Sequence, residues 1–69
     1  MLWERSGSAY HATIEDADGR VLYRLIVEEL PDGTWDWAVW ESGGRSFEGR
    51  HGISATIHDA IQAAETAAR

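Results

Sequence analysis

A chain of 69 residues without cysteine, carrying 12 acidic and 6 basic side chains for a formal net charge of -6, excludes a disulfide-braced scaffold and a thiolate metal site. All six bases are arginine, too few to assemble the basic patch that phosphate backbones or anionic membranes require, so direct nucleic-acid and membrane binding are both disfavoured. No stretch approaches the roughly 18 apolar residues of a membrane span.

The opening residues MLWERSGSAY lack a basic segment followed by a long apolar run, which points to a soluble protein of the cytoplasm. Strand-like alternation follows over 8–15, 20–29, 34–41 and, more weakly, 46–51. Turn chemistry separates these runs. Asp18-Gly19 reads as a two-residue hairpin, Pro31-Asp32-Gly33 as a tight turn set by the fixed φ of proline, and Ser42-Gly43-Gly44 as a turn tolerant of positive φ. Short turns imply antiparallel neighbours, hence a four-stranded antiparallel β-meander.

From residue 56 to 68 the period changes. Ile57, Ala60, Ile61, Ala64 and Ala68 recur at helical spacing, while His58, Asp59, Gln62 and Glu65 lie mostly off that stripe. Thr56 is placed to cap this helix, with Asp59 in the capping-box position and Ser54 as the competing cap. The fold class expected is α+β, one domain with a C-terminal helix packed on one face of the meander.

The stretch WDWAVW at 35–40 holds three of the four tryptophans and can be sorted by the strand period of two. Trp35, Trp37 and Val39 share one side, matching Val21, Tyr23, Leu25 and Val27 on the neighbouring run. That apolar set should face the helix, where small alanines leave room for indoles. A chain this short buries only about 60% of the surface its unfolded form exposes, so such large rings are needed for stability. Trp40 falls on the other side with Leu22, Arg24, Ile26, Glu28, Asp36 and Ala38. It is either part of an exposed apolar island or covered by the segment carrying Trp3.

Catalytic constellations do not assemble in the sequence. His11, His51 and His58 lack the His-x3-His or His-Glu-x-x-His spacing of metal sites, and no nucleophile elbow surrounds Ser54 in the set Ser54, His51 and Asp59. Gly43-Gly44-Arg45 lacks the Lys-Ser/Thr of a phosphate loop, and the pair Glu28-Glu29 has no deep cleft to shift its pKa values. Neither an enzyme nor a cofactor is expected.

The acids carry more information. Glu15, Asp16 and Asp18 surround the first turn, Glu28, Glu29 and Asp32 the second, and Glu28, Asp36 and Glu48 share the sheet face away from the helix. Duplex DNA shows one negative charge per about 1.7 Å of axis, so rows of carboxylates can occupy a groove built for phosphates. Glu15, Asp16, Asp18, Glu28, Asp32, Asp36, Trp40 and Glu48 are the candidate partner contacts.

The order of strands, the Trp35-x-Trp37-x-Val39 run, the glycine turn and the helix Thr56-x-x-Asp59-Ala60-x-x-Ala63-Ala64-Glu65 together resemble the β-meander-plus-helix proteins of phages and prophages. Over about residues 8 to 68 the shape also resembles partial versions of the HicB-type antitoxin and the double-stranded-RNA-binding-like fold. The basic helix end that RNA binding requires is not found, so that function does not carry over. Size, acidity and lack of cysteine resemble the small acidic anti-CRISPR proteins that mimic DNA against a type I Cascade. That resemblance implies a stoichiometric inhibitor in the host cytoplasm whose acids meet arginines and lysines of a Cas subunit. The competing expectation is an antitoxin-like or homodimeric module joined through Trp40 and Leu22; monomer and homodimer both stay open.

Overall fold

The structure, a computed structural model, describes residues 2–41 and 50–68. Five strands, β1 (Glu4–Ser6), β2 (Ala9–Glu15), β3 (Val21–Glu29), β4 (Trp35–Glu41) and β5 (His51–Ser54), precede one helix, α1 (Ile57–Ala67). The strands form one antiparallel sheet in the order β1-β2-β3-β4-β5. The α+β class and the meander are as expected, but the sheet has five strands rather than four. The additional strand, β1, is three residues long and too short to show alternation. The expected strand 46–51 lies mostly outside the described residues, as does the turn Ser42-Gly43-Gly44. The strand that closes the sheet is His51–Ser54.

Glycine sets the geometry of the turns. Asp18-Gly19 is not a two-residue hairpin: Gly19 donates to the Asp16 carbonyl at 3.0 Å, the Asp16 N–H donates to the Arg20 carbonyl at 2.9 Å, and positive φ falls on Gly19 alone (84°). This is a three-residue loop with a left-handed glycine at its end, the geometry that spares Asp18 from positive φ. The second turn repeats it, with Gly33 (φ 88°) donating to the Leu30 carbonyl at 3.0 Å and the Leu30 N–H donating to Thr34 at 2.8 Å.

The side of the sheet under α1 forms the core. Leu25, Val27, Ala60 and Ala64 are all at most 1% exposed, with Ala12, Val39 and Ala68 beside them. Alanines at the helix contact let the backbone approach the sheet closely, which is how so short a helix seals two large aliphatic side chains. Trp35 and Trp37 pack against this cluster but are half-buried, flanking the helix rather than lying wholly beneath it. An α1 of 11 residues runs only about 16 Å, too little to roof indoles at the sheet margin. Trp37 instead lies across Gly52, its register partner on β5, and Trp35 meets Tyr10 with ring centroids 6.3 Å apart.

Both helix ends are satisfied. Thr56 has extended backbone (φ -132°, ψ 159°) and its hydroxyl accepts from the Asp59 N–H at 3.1 Å. At the other end Arg50 donates to the Ala67 carbonyl at 3.2 Å while its guanidinium lies 5.8 Å from the Tyr23 ring centroid, placing a cation at the negative end of the helix dipole. Trp3 also belongs to the helix side: its indole N–H donates to the Glu65 carboxylate at 2.9 Å. Trp3 therefore does not cover Trp40.

Candidate contact face of the sheet

No described element packs on the opposite side of the sheet. Register places its side chains in rows across the strands. One row runs Ala9, Glu28, Asp36, Ile53; the next runs Glu4, His11, Ile26, Ala38, His51; a third runs Thr13, Arg24, Trp40. Beyond Arg24 on β3 comes Leu22. Leu22, Trp40 and Ile53 are 40%, 38% and 66% exposed, so this face combines apolar groups with charges of both signs.

The expected acidic site is only partly assembled. Glu28 and Asp36 are direct register partners, and neither carboxylate has an ion-pair or hydrogen-bond partner among the described residues. Like charges directly opposite on neighbouring strands are destabilising, by roughly 0.2–1 kcal/mol. Glu15, Asp16 and Asp18 lie at the other end of β3, whose nine residues separate the two groups by about 27 Å. One continuous row of acids is thus not formed. Glu48 lies outside the described residues.

Two of the candidate acids have structural work in their own turns. The Asp16 carboxylate accepts from the N–H groups of Asp18 (2.9 Å) and Arg20 (3.0 Å). The Asp32 carboxylate accepts from the Thr34 hydroxyl (2.6 Å) and the Thr34 N–H (3.0 Å), and these bonds hold its pKa below the ordinary 3.8. Both groups shape loops first, and a contact through them competes with those bonds.

Groups that invite chemistry are held apart. His51 shares the face opposite α1 with Ala38, whereas Ser54 pairs with Trp35 on the helix side, so the two cannot act on one substrate. Among the described residues no three His, Asp or Glu side chains gather as a metal set. A half-open concave surface of about 380 Å³ on α1 is lined by His58, Ile61, Gln62, Glu65 and Thr66. No helix among the described residues is long and apolar enough to cross a membrane.

Arg24, which the strand period places on this face, sits between the acidic row and Leu22. Two participants escaped the sequence reading: Ile53 extends the apolar surface onto β5, and Gly52 makes room for Trp37. Continuing the period of two through Ser54 would have found Ile53; nothing local signals Gly52. Compared with protein-family models, curated proteins and solved structures, the chain matches none.

Proposed function

We propose that this chain is a non-enzymatic inhibitor that docks the sheet face opposite α1 on a basic protein surface and blocks nucleic-acid binding there. The observation that carries the reading is the Glu28–Asp36 pair, two adjacent carboxylates unpaired within the described residues and bordered by Ile53 and Ile26. A guanidinium or ammonium from a partner turns their mutual repulsion into attraction, while the surrounding apolar groups exclude water. In its specific form the proposal is an anti-CRISPR acting on a Cas subunit of a type I Cascade in the host cytoplasm, with Glu28 and Asp36 as the central contacts and Glu15 and Asp18 as peripheral ones.

The test is fluorescence anisotropy of labelled target DNA bound by a type I Cascade, titrated with the chain. Wild type should displace DNA stoichiometrically, less well at high salt, and E28R/D36R should lose inhibition while retaining its circular dichroism. Inhibition undiminished in E28R/D36R, or its absence at saturating wild type, would refute the proposal. A second reading, an antitoxin-like or homodimeric module, is favoured by the exposure of Leu22 and Trp40 on the same face. Its contact would fail in W40A.

A further inference from the structure

We infer that the sheet face opposite α1 is self-complementary and that it docks on a second copy of this chain, about a two-fold axis that passes over Ile26 perpendicular to the strands. This rests on the homodimeric reading above and gives it a geometry.

On the side opposite α1 the strand period of β3 presents Leu22, Arg24, Ile26 and Glu28, and continues to Leu30 just past the strand end. Leu30 is half-buried yet is not among the side chains packed against the core under α1, consistent with that placement. The sequence of side chains Leu-Arg-Ile-Glu-Leu is symmetric in apolarity about Ile26 and antisymmetric in charge. A two-fold at Ile26 therefore sets Leu22 against Leu30 of the second copy, Ile26 against itself, and Arg24 against Glu28 of the second copy.

Register extends the match beyond one strand. Glu28 is paired with Asp36, so the incoming Arg24 faces both carboxylates, and its planar fork of donors can serve the two together. The arrangement occurs twice by symmetry. The unfavourable carboxylate pair of the single chain is thereby answered from within the same sequence. The alternative two-fold, parallel to the strands, stacks Arg24 on Arg24 and Glu28 on Glu28. At a formal net charge of -6 per chain, two copies repel unless cations are set against acids, which selects the first axis.

Size sets the strength. Five strands spaced by about 4.8 Å and about 20 Å of strand length give roughly 500 Å² per copy, so about 1,000 Å² in total. That is the size of a weak or transient interface, so the association is expected to be reversible. Sheets packed this way lie aligned at about 10 Å, close enough for Ile26 and Trp40 to interdigitate with the facing copy. Because the dimer occupies Glu28 and Asp36, a basic partner and the second copy compete for one site.

The test is sedimentation velocity from about 1 µM to about 1 mM, with circular dichroism to confirm that every variant folds. Wild type should show a reversible monomer–dimer equilibrium. R24E and E28R should each weaken it by about tenfold or more, and the charge swap R24E/E28R should recover most of the loss, which a merely structural role for either residue would not produce. A wild-type monomer throughout overturns both the inference and the homodimeric reading. A wild-type dimer indifferent to R24E and E28R, or unrecovered in the swap, overturns the inference alone and leaves self-association through another contact.

Discussion

Replacing Gly52 by alanine tests how the sheet accommodates Trp37. A Cβ at position 52 would lie 2.9 Å from Trp37 Cε2, Cζ2 and Nε1, whereas carbon atoms in good contact sit about 3.5–4.0 Å apart. The ring must retreat by at least about 0.6 Å. It is rigid, and it also packs against the core cluster, so the displacement spreads into neighbours of Val27 and Val39. Overpacking of this kind costs about 1–3 kcal/mol, offset by about 0.5–1 kcal/mol because alanine has less unfolded-state freedom to lose than glycine. The expected net loss is about 1–2 kcal/mol, a fall of roughly 5–15 °C in Tm for a domain of this size. Urea denaturation followed by far-ultraviolet circular dichroism measures it without relying on the indole signal. The decisive control places G52A in a W37V background, where the clash is gone and the alanine should be neutral or stabilising. A G52A protein as stable as wild type, or an equal loss in both backgrounds, would show that Trp37 does not require the missing side chain.

Removing the helix cap with T56A should lower stability by about 1 kcal/mol, read as a shift in urea midpoint without a change in slope, since only the Asp59 N–H loses its partner. Replacing Trp3 by phenylalanine keeps an aromatic ring but abolishes the bond to Glu65; a loss of about 1–2 kcal/mol is expected, with faster amide exchange in α1 as the second readout. Asp32 gives a pH signature. Its folded pKa lies below the ordinary 3.8, so its stabilising contribution is complete above that value and disappears as pH falls through the folded pKa. The gap in Tm between wild type and D32A should therefore hold from neutral pH down to about 3.8 and narrow below it, and a gap constant into strong acid contradicts the Thr34 bonds.

Periodicity carried the parts of the fold that sequence made legible. Leu25 and Val27 alternate with Arg24, Ile26 and Glu28, and that alternation alone gives the two sides of the sheet. Thr56 and the alanine stripe likewise announce the helix and its cap. What failed was whatever depended on length or distance. β1 is too brief to show a period, and β5 is interrupted by Gly52, whose reason for being there is an indole from the neighbouring strand. The location of Trp3 depends on Glu65, 62 residues away. The acidic site was overextended for a reason available in advance. In a meander, consecutive turns fall at opposite ends of the sheet, so the acids around Asp16 and those around Asp32 could never line one groove. Their turn bonding was foreseeable too, since aspartate beside a glycine turn commonly accepts from the backbone.

The hydrogen bond from Trp3 to Glu65 fastens the beginning of the chain to its final element. Loops and hairpins between neighbouring strands close over a few residues, but this clasp shuts a circuit of 62, so loop entropy makes it among the slowest contacts to form. Fraying of the first residues and loosening of the helix should accordingly be one event rather than two, and a fluorescence change specific to Trp3 would mark the last step of folding and the first of unfolding.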